Sequence, residues 1–131
     1  MTRRGLHHVE FRVADLVAAV RSWGWLLDAL GWAPFQEWPD GRSWRLDHTY
    51  LVLGRAPLPG GHDRRRPGLS HLALHGGSAV DVARIWTGAP GHGWRRLYED
   101  RHPHAGGPDH HAAFLEDAER VKVEVVADVE D

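Results

Sequence analysis

His8 and His71 occupy matching places in two related stretches of this chain. The first stretch is Gly5-Leu6-His7-His8-Val9-Glu10-Phe11-Arg12-Val13, and the second is Gly68-Leu69-Ser70-His71-Leu72-Ala73-Leu74-His75. The two histidines lie 63 positions apart in a chain of 131 residues. A repeat at nearly half the chain length implies two similar modules. Side chains alternate across a strand, so residues two apart share a face. His8 then faces away from Val9, Phe11 and Val13, and His71 faces away from Leu72 and Leu74. In the closing run Val121-Lys122-Val123-Glu124-Val125-Val126, Glu124 faces away from the valines at 121, 123 and 125. Two imidazoles and one carboxylate with open positions form a ligand set for divalent Fe, Mn, Ni or Zn. A single strand histidine is ordinarily a surface or core-edge residue. Spacing alone therefore leaves a metal centre and a plain strand surface both open.

Other polar groups share the same parity. Glu10, Arg12, Tyr50 and His75 fall on the faces of His8 and His71. Glu10 is a candidate base, although an ion pair with Arg12 or Arg45 is the simpler reading. At least one of His110 and His111 must face the same side if their strand is regular. His110 is taken as a candidate acid/base and His111 as a pocket residue. Trp44 is a candidate pocket wall, while Trp23, Trp25, Trp32 and Trp38 suit a core or an interface. His102 and His104 read as parts of a solvated loop.

The elements that must position these residues are legible from periodicity. The first alternating run, residues 5–13, predicts a half-buried strand. Asp15 is placed to cap a helix, and Leu16, Val20, Trp23, Leu27 and Leu30 form one apolar stripe along it. Gly31 sits where a helix C-terminus favours glycine. Strands are expected over 32–38, 43–46 and 49–53, with Pro39-Asp40-Gly41 and Asp47-His48 as turns. The order β-α-β-β-β runs through about residue 55. The stretch 56–67 holds Pro57, Pro59, Gly60, Gly61 and Pro67 and reads as a linker. The second module, about 68–128, repeats the order. It has a strand opening at Gly68, a helix over about 79–87 capped by Ser78, a strand over 94–98 and a closing hairpin from 112–115 and 121–126. Pro90-Gly91 stops the helix.

Composition bounds the function classes. Hydrophobic residues are 42% and charged residues 26% of the chain, and the net charge is −2, ordinary for a globular protein. No basic patch points to nucleic acid; Arg64-Arg65-Arg66 lies in the linker and reads as solvated. Cysteine is absent, which removes disulfides, thiolate ligands and a cysteine nucleophile. No apolar run approaches a membrane span, and no apolar segment follows Met1-Thr2-Arg3-Arg4. A cytoplasmic protein without a membrane partner is the expectation.

These motifs, in this order and spacing, resemble the vicinal oxygen chelate superfamily. Its members include glyoxalase I, fosfomycin and bleomycin resistance proteins, and extradiol dioxygenases. The carriers of the resemblance are Gly5-Leu6-His7-His8-Val9, Ala14-Asp15-Leu16, Leu30-Gly31 and the run from Phe114 to Glu124. The family's closing pattern is F-x-x-D-P-D-G-x-x-x-E; here Ala118-Glu119-Arg120 replaces Pro-Asp-Gly. The resemblance implies an α+β fold in which two βαβββ modules form a cup-shaped mixed sheet with helices outside. It implies metal ligation by His8, His71 and Glu124. The family's further ligand, on the last strand of module one, would fall at Val52, which cannot ligate. A three-ligand site lined by Val52 is therefore expected, unlike that of glyoxalase I. A thiol transferase of the fosfomycin type is disfavoured, because no Ser/Lys cluster is evident near the closing hairpin. The expected function is that of a metal-dependent enzyme, a lyase, isomerase or dioxygenase, acting on a small oxygen-bearing substrate. The alternative is a metal-free protein that sequesters a small molecule, as bleomycin resistance proteins do. Family members often dimerise, and the Trp-rich first helix suits a homodimer interface.

Overall fold

The computed structural model describes residues 2–128, so Met1 and positions 129–131 of the single expected domain lie outside the described residues. The chain divides into two compact units, residues 1–60 and 61–131, with the boundary inside the expected linker. Each unit is a four-stranded mixed sheet carrying one long helix. The α+β class and the two βαβββ modules are therefore as the sequence implied.

In the first unit β1 (His8–Val13) leads into α1 (Leu16–Ala29), followed by β2 (Ala33–Trp38), β3 (Gly41–Leu46) and β4 (Thr49–Arg55). The sheet order is β1-β4-β3-β2, with β1 parallel to β4 and the other pairs antiparallel. Asp15 caps α1 as expected, its carboxylate accepting from the Ala18 N–H at 3.1 Å. Gly31, at φ 87°, leaves the helix through the left-handed region where glycine carries no steric penalty. Trp23, Leu26 and Leu27 are fully buried on α1. They meet the side of the sheet that carries Phe11, whose ring lies 5.1 Å from that of Trp23.

In the second unit β5 (Leu72–His75) precedes α2 (Ala79–Gly88), and β6 (Arg95–Arg96), β7 (Ala112–Glu116) and β8 (Lys122–Val126) complete the sheet in the order β5-β8-β7-β6. Ser78 and Asp81 cap α2 reciprocally, each side chain accepting from the other's backbone N–H. The Asp81 carboxyl is accordingly held below its ordinary pKa by the Ser78 N–H. Two strands are shorter than periodicity suggests. The stretch from Gly68 to His71 stays outside the β5 ladder, with Gly68 at φ 136°. The run expected over 94–98 narrows to β6, because Tyr98 turns into the left-handed region at φ 56°. The β7–β8 turn survives without its usual glycine. Asp117 accepts from the Glu119 and Val121 N–H groups, both at 2.9 Å, and Arg120 takes φ 66° in the glycine's place.

Candidate functional site

Register fixes which side chains share a face. In the first unit His8 pairs with Tyr50, Glu10 with Val52 and Arg12 with Gly54. All six lie on the face opposite α1. The His8 ring stacks on Tyr50, centroids 4.7 Å apart and planes 4° apart, and its Nδ1 lies 2.9 Å from His7 Nδ1. Glu10 and Arg12 form an exposed ion pair at 3.7 Å, the simpler of the two readings offered for Glu10. Val52 is buried on the same face.

Trp44 lies on the other face of this sheet. It pairs with Leu51, so it points to the helix side, and its ring lies against Gly24 of α1. There it helps line a hollow of about 550 Å³ with Trp25, Phe35 and Arg42. Ser43, next to it in the strand, holds the position facing away from α1.

In the second unit Ala73 and Phe114 flank Glu124 in register on β5 and β7. Glu124 is 8% exposed, and a buried carboxylate must be hydrogen-bonded or paired. Two imidazoles satisfy it. His71 Nε2 lies 3.1 Å from Glu124 Oε1, and His110 Nε2 makes a short contact with Oε2. The second nitrogen of His71 is 3.0 Å from Ser70 Oγ, which fixes the ring's orientation. His110 is seated by Gly106: a Cβ on that glycine would come within 2.6 Å of the imidazole. His110 therefore reaches the carboxylate from the loop before β7, outside the regular strand on which the parity argument rested. His111 turns elsewhere, its ring edge-on to His104 at 5.6 Å. His75 shares the Glu124 face by register, but its side chain is 91% exposed and lies 3.3 Å from Asp128. It sits at the open end of the strand, not in a pocket.

The structure brings His71, His110 and Glu124 together and carries His8 on the corresponding face of the first unit. Among the described residues no group of three or more His, Asp or Glu side chains is arranged to hold a metal ion. The donor chemistry nevertheless suits a divalent cation: imidazole nitrogens beside a buried carboxylate that no Lys or Arg neutralises.

Two residues along β8, a second polar group went unnoticed in the sequence. Lys122 shares the Glu124 face, and its Nζ lies 3.0 Å from the Tyr98 hydroxyl and 5.2 Å from the centre of the Phe114 ring. The ammonium's hydrogen bond is the main cause holding the Tyr98 phenol below its ordinary pKa. Opposite Lys122 on β7 stands Glu116, a buried carboxylate clamped by Arg64 and Arg95. Arg64 therefore does not belong to a solvated linker, whereas Arg65 and Arg66 stay exposed beside Asp63. The closing hairpin thus holds a cationic cluster that the sequence did not reveal. Parity could have flagged Lys122, but Tyr98 and Arg64 arrive from irregular backbone.

A βαβββ pair with one histidine on its first opening strand, another just before the second, and a carboxylate on its closing strand defines the class to which glyoxalases and bleomycin resistance proteins belong. Similarity to known proteins agrees. The chain is 46% identical over 125 residues to the uncharacterized protein YqjT of Bacillus subtilis, covering 93% of this chain and 98% of that one. It is 43% identical to a "putative glyoxalase" from Bacillus halodurans of known crystal structure, with a TM-score of 0.90 over 94% of this chain and 95% of that one. A glyoxalase/bleomycin resistance protein from Albidiferax ferrireducens shares the fold at 17% identity, with a TM-score of 0.77 over 95% of this chain and 98% of that one. No family model matches the sequence. The chain belongs to the vicinal oxygen chelate superfamily. No helix among the described residues is long and apolar enough to cross a membrane.

Proposed function

We propose that this protein is a metal-dependent enzyme acting on a small oxygen-bearing substrate, with His8, His71 and Glu124 as the ligands of a divalent Fe, Mn, Ni or Zn ion. The observation carrying this reading is the buried Glu124 carboxylate, which has imidazoles and no Lys or Arg as partners. An ion bound there would supply Lewis acidity toward the substrate's oxygens. The chain's own residues do the rest. Ser70 orients His71. His110, hydrogen-bonded to Glu124 and backed by Gly106, holds a proton at Nε2 within reach of the carboxylate. Glu10, paired with Arg12 on the His8 face, is the second acid/base candidate. A homodimeric, cytoplasmic protein with a small-molecule partner fits this proposal.

The alternative is a metal-free protein that sequesters a small molecule. It is favoured by both Glu124 oxygens being engaged by imidazoles. Metal analysis of the purified protein, followed by calorimetric titration with Mn²⁺, Ni²⁺ and Zn²⁺, separates the two. The enzyme reading expects about one ion per chain, and binding weakened by His8→Ala, His71→Ala and Glu124→Gln. Failure of every ion to bind would leave the sequestering reading in place.

A further inference from the structure

The Glu124 face carries an unused cation. Lys122 and Glu116 are cross-strand partners in register, and opposite charges so placed ordinarily pair. Here they do not. Glu116, with 5% of its side chain exposed, is held by Arg64 and Arg95. The Lys122 ammonium is left with the Tyr98 hydroxyl at 3.0 Å and the faces of two rings, Tyr98 at 5.0 Å and Phe114 at 5.2 Å. Lys122 thus has no carboxylate partner among the described residues. Arg64 and Arg95 share the Glu116 carboxylate, and Lys122 is a third cation on this patch. The nearby Glu99 is exposed and lines a separate hollow with Arg95 and Arg96. Tyr98 reaches Lys122 from a left-handed backbone conformation, φ 56°, which a non-glycine residue adopts only at a steric cost.

We propose that Lys122 and Tyr98 form a subsite for a small oxyanion, the carboxylate or phosphonate end of the substrate, beside Glu124. An ammonium and a phenol hydroxyl 3.0 Å apart offer two donors for two oxygens of one anion. The subsite lies two residues along β8 from Glu124, roughly 7 Å away on the same face. A substrate anchored there presents the oxygens a few bonds away to Glu124 and His71. This deepens the proposed function, since it rests on reading the Glu124 face as the substrate face.

The test uses full-length protein freed of metal with chelator, at fixed ionic strength. Backbone amide resonances are followed by NMR during titration with propionate and, separately, inorganic phosphate. Saturable shifts at Tyr98, Phe114 and Lys122 are expected, with affinity about tenfold weaker in Lys122→Met and in Tyr98→Phe, and largely kept in Lys122→Arg. Stronger binding of propionate assigns a carboxylate, and stronger binding of phosphate assigns a phosphonate or phosphate end. The subsite is refuted if neither anion saturates these shifts, or if folded Lys122→Met and Tyr98→Phe bind as the wild type does. Metal is absent throughout, so failure here is distinct from failure to bind a metal ion.

Discussion

The Arg64–Glu116–Arg95 clamp makes the sharpest prediction about how the site is held. Glu116 keeps only 5% of its side chain exposed, against 22% for Arg64 and 69% for Arg95. The inner arginine should therefore carry most of the clamp. Removing one partner of a fully buried pair costs about 3–5 kcal/mol. Arg64→Met leaves Arg95 in place, so the cost falls to about 2 kcal/mol. Arg95→Met removes an exposed partner and should cost less than about 1 kcal/mol. Urea unfolding followed by circular dichroism reads both, and the Arg64 variant should melt roughly 6–10 °C lower. A second effect separates the clamp from generic packing. With Arg64 gone, Lys122 stands across the strands from a carboxylate with one exposed partner and should swing toward it, leaving Tyr98. Arg64→Met should then weaken propionate or phosphate binding, and Glu116→Gln in the Arg64→Met background should restore it. The reasoning is wrong if Arg95→Met is the more damaging substitution, or if Arg64→Met leaves anion binding unchanged in folded protein.

Further outcomes follow from single contacts. Gly106→Ala should displace His110 from Glu124 with little effect on stability, visible as a shift of the His110 imidazole signals and a loss of whatever activity the protein shows. Arg120→Gly should leave stability unchanged or raise it by up to about 1 kcal/mol in urea unfolding, because glycine relieves the left-handed strain at φ 66° while loosening the unfolded chain. Asp15→Ala removes the cap of α1 and should cost about 1 kcal/mol, roughly 3–5 °C in melting temperature. His102, stacked on Trp86 with its Nδ1 buried and unpartnered, is held below its ordinary pKa of 6.5 by desolvation first and by neighbouring positive charge second. The unfolded chain then takes up this proton first as pH falls. Its contribution to stability is full above pH 6.5 and is lost between there and the folded pKa. His102→Phe should flatten the fall in melting temperature on acidification.

How much of this was legible in the sequence follows from where the backbone is regular. The βαβββ order, the Asp15 cap and the Glu124 face were readable because strand parity and helix periodicity are local rules. Parity also placed Glu10, Arg12, Tyr50 and Val52 on one face, as the register confirms. Trp44 was kept as a pocket residue for its chemistry; its register with Leu51 turns it to α1, where it lines a hollow. Tyr98 and Arg64 were out of reach for a different reason. Each comes from backbone with no repeat: a left-handed residue after a two-residue strand, and a linker rich in Pro and Gly. Yet their effect was partly visible. Lys122 is the only lysine in a chain with 15 arginines, and it stands two residues from the most constrained carboxylate on the closing strand. An arginine there could fork to a carboxylate; a lysine offers a compact ammonium that fits between two rings and donates to a phenol. The local choice of lysine, made against the chain's own bias, is compatible with a small oxyanion subsite. Lys122→Arg should therefore keep anion affinity while altering selectivity between propionate and phosphate, and an unchanged ratio would show that the ammonium's compactness is irrelevant.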